Sequence, residues 1–228
     1  MLIQEGDKRT PATDLMLASI LAFVAGGVNS AGFLAYHYFS ANMTGNVSMT
    51  SDHLAVSQLD LALGFLTIVA MFIFGAFTAS ILIEIGKRQR RSNIYALTLI
   101  VEAVLLILVG LAVALSAQPL NGVLVVGLLS LTMGIQNAAS TRISGSRVRT
   151  THVSGVATDL GVGLAMLLGV SSGADRLAIV PRLKLHLVTI VFFALGGVLG
   201  VIGHQLLGGV SFCVFAIPLI ILSVRYLR

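Results

Sequence analysis

Charged residues are scarce in this chain. Asp, Glu, Lys and Arg make up 10% of its 228 residues, whereas soluble domains carry about 25%. That shortage, together with a hydrophobic share of 57%, excludes an ordinary water-soluble globular fold. Cysteine occurs once, as Cys213 inside an apolar run, so neither an intrachain disulfide nor a cysteine-based metal framework is available. The histidines, His37, His53, His152, His186 and His204, do not pair at metal-ligand spacing. Catalytic signatures are missing too: there is no His-Glu-x-x-His or Gly-x-x-x-x-Gly-Lys pattern. The chain is therefore read as a non-enzyme needing no metal or cofactor, and an ATP-driven pump is excluded for this chain alone.

What is present is long apolar sequence. Mean hydropathy is +0.99, and a transmembrane helix takes about 20 apolar residues. Six stretches meet or approach that length: 15–36, 61–85, 94–116, 122–139, 185–207 and 208–222. The last is short, and Pro218 is expected to kink it. The fold class expected is all-α, a polytopic membrane helix bundle of about six transmembrane helices plus two short broken or re-entrant helices. The polar head 1–14 leads into an apolar run longer than the about 7–15 residues of a signal h-region, so the first span is expected to be retained. The lipid bilayer is the first expected partner.

A formal charge of +5 and a pI of 9.9 raise nucleic acid as another. Position argues against it. With six spans and both termini inside, all 14 basic residues, from Lys8 and Arg9 through the run 87–91 to Arg225 and Arg228, fall on one side. Cytoplasmic loops show that bias, so cytoplasmic N- and C-termini are expected and no nucleic-acid role. Segment 154–170 leaves a seventh span open, but a seventh would carry Arg176, Arg182 and Lys184 outside; a broken or re-entrant helix is preferred.

Two stretches echo each other. Gly26-Gly27-Val28-Asn29 is followed by Asn42-Met43-Thr44-Gly45-Asn46, and Gly134-Ile135-Gln136-Asn137 by Thr150-Thr151-His152-Val153-Ser154-Gly155. Asn29 and Asn137 are 108 positions apart, Gly45 and Gly155 110. The turn Ala117-Gln118-Pro119 divides one membrane domain, 1–228, into a first repeat, 15–116, and a second, 119–228. Three spans in each make equivalent elements run in opposite directions, a 3+3 inverted repeat of the kind common in secondary transporters. An insertion, 171–184, is expected to precede the second repeat's next long helix.

On Met43-Thr44-Gly45-Asn46, Gly134-Ile135-Gln136-Asn137-Ala138 and Thr150-Thr151-His152-Val153-Ser154-Gly155, the chain resembles the YoaK-like family of bacterial inner-membrane proteins, a domain of unknown function. The resemblance runs from Leu15 onward. It implies a bacterial inner-membrane location and supplies no substrate. The family pattern has Thr where this chain has Ser154, which keeps the hydroxyl.

Candidate site residues follow from the cost of polar groups in hydrocarbon. Asn29, Thr44, Asn46, Gln136, Asn137, Thr151 and Ser154 are expected either to line a solute pocket between the repeats or to bind helices together. Glycine beside each hydroxyl would let helix N-termini face a ligand, favouring an anion. Glu102, deep in an apolar helix, and Asp159, after the second motif, are the candidates for proton or ion coupling. The alternative for Glu102 is a carboxyl hydrogen-bonded between helices. His152 lies within a motif and is a weaker candidate for a pH-linked role.

The function expected is a small-solute transporter or permease working by alternating access, possible as a homodimer because so short a chain has little surface to enclose a pathway. A non-transporting membrane component, with assembly, sensory or structural partners, is the other reading.

Overall fold

Among the described residues, 1–169 and 173–227, the computed structural model contains only helical elements. A short 3-10 turn, Gly6–Lys8, precedes α1 (Pro11–Tyr36), α2 (Met43–Ala55), α3 (Leu59–Arg88), α4 (Ile94–Leu115), α5 (Gly122–Ser144), α6 (Val153–Gly169), α7 (Gly173–Leu207) and α8 (Val210–Val224). Thr10 caps α1 by accepting from the Thr13 amide, the Thr13 hydroxyl returns the favour to Thr10, and Pro11 opens the helix without wasting a donor. α1 ends on His37 and α5 on Gly145, both left-handed.

Among the described residues, five helices are long and apolar enough to cross a membrane: α1, α3, α4, α5 and the part of α7 from Arg176. The expected sixth span is α8, whose 15 residues reach only about 22 Å at 1.5 Å per residue. It lies along α4. The two expected short helices are α2 and α6, each packed on the long helix that follows it. The expected insertion is corrected. From Gly173 onward it is helical and extends α7 backward through Pro181, so residues 173–184 are part of that helix and not an insertion before it; positions 171 and 172 lie outside the described residues.

The closest helix pairs are α1 with α7 and α3 with α5. Each is made by glycines that let backbones touch. A Cβ on Gly26 would overlap the Phe193 carbonyl, and one on Gly196 would overlap that of Phe23. In the other pair, a Cβ on Gly134 would strike the Phe72 carbonyl and one on Gly75 that of Leu131. The contacts correspond position by position: Phe23 and Gly26 lie 108 residues before Leu131 and Gly134, while Phe72 and Gly75 lie 121 before Phe193 and Gly196. In a bilayer, where apolar burial does not drive association, such close approach is what packs helices. α1 and α5 are the most buried spans, and α3 and α7 the least.

The N-terminal segment is not a loose polar head. Leu2 is buried in the core, and the Met1 ammonium donates to the Tyr226 hydroxyl at 2.8 Å. Arg9, fully buried, pairs with Asp14 at 2.5 Å, and Arg147 pairs with the other oxygen of Asp14 at 2.9 Å. Lys87 reaches Glu5 at 2.5 Å. One end of the bundle thus gathers the starts of α1 and α4 and the ends of α3, α5 and α8. Burial, followed by the charges of Arg9 and Arg225, holds the Met1 amine below its usual range.

Candidate solute-binding site

The loops after α1 and α5 double back along their own helices. Ala41 donates its amide to Asn29 Oδ1 at 2.9 Å, and the Thr151 hydroxyl donates to Asn137 Oδ1 at 2.9 Å. Each asparagine therefore pins, partway along its helix, the chain that starts the next short one. α2 begins at Met43, where the Asn42 side chain caps it by accepting from the Gly45 amide at 3.0 Å. α6 begins at Val153, and its first described backbone bond is Val156 N–H to the His152 carbonyl at 3.0 Å. Because α3 and α7 start where α2 and α6 end, both short helices point their N-termini inward.

Between those N-termini lies a cavity of about 680 Å³. Its wall takes Asn29, Phe39, Ala41, Asn42, Met43, Thr44 and Phe72 from the first half and Asn137, Arg149, Thr151, His152, Val153, Ser154 and Phe193 from the second. At the spacings already given, these fall into matching pairs: Asn29 with Asn137, Ala41 with Thr151, Thr44 with Ser154, and Phe72 with Phe193. A second cavity of about 640 Å³ adjoins it at the end carrying the N-terminal segment, lined by Arg147, Asp159, Arg182 and His186 among others. Arg149 and His152 line both.

Of the residues expected from sequence, Asn29, Thr44, Asn137, Thr151 and Ser154 come together on the central cavity. Asn46 and Gln136 do not. Asn46 is fully buried and donates to the Phe39 carbonyl at 2.8 Å, fastening the loop. Gln136 donates to the Leu21 carbonyl at 2.6 Å, tying α5 to α1. Asp159 faces the second cavity. Glu102 is fully buried in α4 away from both, and neither carboxyl oxygen has a hydrogen-bond partner among the described residues. The interhelical hydrogen bond offered as its alternative role is therefore absent there.

The motif glycines also act differently from expectation. A Cβ on Gly45 would collide with the Asn42 amide, and one on Gly155 with the His152 ring. Glycine makes room for the preceding side chain to fold over the first helical turn.

Residues 17–225 match the family described as "Protein of unknown function (DUF1275)". The chain belongs to that family. A curated relative, "UPF0700 transmembrane protein YoaK" from Bacillus subtilis (strain 168), is 29% identical over 146 residues, 63% of this chain and 64% of that protein. The match thus spans a little under two thirds of the relative's length. No solved structure matches. With a transmembrane relative and five apolar helices of spanning length, this DUF1275 chain is a multi-pass membrane protein.

Sequence reasoning missed Arg149, Phe72 and Phe193 as cavity residues of this DUF1275 chain. Arg149 carries a signal, since it directly precedes Thr150-Thr151-His152, but as one more basic residue on the inner side its charge reads equally as a topology determinant. The phenylalanines sit in apolar helices and carried none.

Proposed function

We propose that this chain is a small-solute transporter of the bacterial inner membrane, working by alternating access between two inverted halves, with both termini cytoplasmic. One observation carries the reading: a cavity large enough for a small metabolite is lined by corresponding residues of the two halves and capped by the N-termini of both short helices. Inverted repeats with broken helices meeting at a central site are a recurrent transporter plan. The matched glycine contacts of α1/α7 and α5/α3 support the repeat, and the basic residues gathered at one end support the orientation. Glu102 and Asp159 are the groups proposed to couple transport to a proton or ion. A homodimer is proposed as the working assembly.

The test is flux in proteoliposomes with a metabolite panel, comparing wild type with Glu102→Gln and Asp159→Asn. Transport of a panel member, slowed by either substitution, is the expected result. Flux unchanged by both removes the coupling role. The non-transporting reading draws on Asn46 and Gln136, whose bonds are to backbone carbonyls and serve packing; absence of flux for every solute favours it.

A further inference from the structure

We infer that the solute of the central cavity is an anion, a carboxylate or a phosphate- or sulfate-type oxyanion, and that Arg149 receives it where the two cavities meet. This deepens the transporter reading and rests on the central cavity being a solute site.

Among the described residues Arg149 is the one on the central wall with a permanent charge, and no carboxylate lines that wall. The amide oxygens that could greet a cation are already engaged: Asn29 Oδ1 by Ala41, Asn137 Oδ1 by Thr151, and Asn42 Oδ1 by Gly45. Asn29 Nδ2 is left with no acceptor among the described residues, so it remains available as a donor. The hydroxyls of Thr44 and Ser154 stand beside it, with the first-turn amides of two helices. α2 has 13 residues and α6 has 17, enough for each N-terminus to present unsatisfied amides and a positive partial charge. A set of donors around one guanidinium is the chemistry that recognises an oxyanion.

The halves differ where charge matters. Phe39 and Asn42 in the first correspond to Arg149 and His152 in the second, so positive charge enters only from the side that adjoins the second cavity. There Arg147 is held by Asp14 and Asp7, but Arg149 has no acid within ion-pair distance among the described residues. Among the described residues Asp159 is the one acid of the second wall, against Arg147, Arg149, Arg182, His152 and His186. An anion leaving the central cavity toward that wall passes Arg149 first.

The purified full chain in detergent is titrated calorimetrically with inorganic phosphate, sulfate, acetate and benzoate, and with tetramethylammonium as the cation. Wild type, Arg149→Gln and Arg149→Lys are compared, their melting temperatures showing that each is folded. Saturable binding of at least one anion is expected, weakened about 10-fold or more by Arg149→Gln and largely kept by Arg149→Lys. Phosphate or sulfate binding without carboxylate binding assigns the oxyanion class, and the reverse assigns the organic acid. No saturable anion binding, saturation by tetramethylammonium instead, or anion affinity unmoved by Arg149→Gln overturns the inference. Anion binding without flux would sink transport alone, whereas flux of a neutral panel member without anion binding would sink only the anion.

Discussion

Asn137 accepts the Thr151 hydroxyl at 2.9 Å and donates its own Nδ2 to the Met133 carbonyl at 2.8 Å, fixing the entry to α6 against α5. Asn29 does the same for α2 through the Ala41 amide. Asn29→Ala leaves that buried amide unpaired and should cost about 1–3 kcal/mol. Thr151→Val, which removes a half-buried hydroxyl, should cost less. Thermal unfolding in detergent ranks them, and an Asn29→Ala chain as stable as wild type would show that the loop is held by other contacts.

Gly26→Ala and Gly134→Ala each drive a methyl into a neighbouring backbone carbonyl, which cannot rotate aside as a side chain would. The helices must part, at a cost of about 1–3 kcal/mol or more. Gly161→Ala, where nothing lies within 4 Å, should be neutral or stabilising by up to about 1 kcal/mol through helix propensity. Equal melting temperatures for Gly26→Ala and Gly161→Ala would contradict the contact.

Asp14→Ala should release the N-terminal segment. It strands Arg9, whose side chain is fully buried, and breaking a buried pair on one side costs about 3–5 kcal/mol. Hydrogen exchange over residues 1–10 should rise sharply while α3 and α7 stay protected. Unchanged exchange there would mean the ion pairs do not hold the segment.

The Met1 amine gives that docking a pH dependence. Its folded pKa lies below the unfolded value of about 8, so the undocked chain binds the proton more readily. Docking therefore strengthens as pH rises through the lowered pKa and levels off above about 8. N-terminal acetylation should flatten the dependence. The readout is exchange of residues 1–10, corrected for intrinsic rates, at about pH 6 and about pH 8.5; the opposite slope would show that the Tyr226 contact stabilises the charged form.

A topology reporter fused after Arg91, between α3 and α4, should report the cytoplasm, as should one after Arg225. A periplasmic signal at either would reverse the orientation, since Lys87 and the start of the chain meet at one end through Glu5.

Most of the fold was legible because a bilayer writes its demands plainly: apolar runs near 20 residues, with polar breaks between them. The start of α7 was not, because Arg176, Pro181, Arg182 and Lys184 read as loop, although they form its polar first turns. In the site, hydroxyls and amides flanking helix starts could be found by their repetition. Which of them face a cavity could not. Asn46 and Gln136 resemble Asn29 and Asn137 in sequence, but they spend their amide nitrogens on the Phe39 and Leu21 carbonyls, whereas Asn29 and Asn137 turn their oxygens to the loops that line the cavity. Arg149 was visible as a charge, but only folding shows that Asp14 holds Arg147 and leaves its neighbour two residues on facing the solute space.

The glycine contacts set a schedule for synthesis. Gly26 of α1 closes on Phe193 of α7, so α1 enters the bilayer about 170 residues before its closest partner exists, on the order of 10–30 s at ordinary translation rates. α3 waits only for α5, about 60 residues. During the longer wait Asn29 has the Ala41 loop to satisfy it, but the glycine face of α1 lies open to lipid. The last long helix to be made is the one that completes the first.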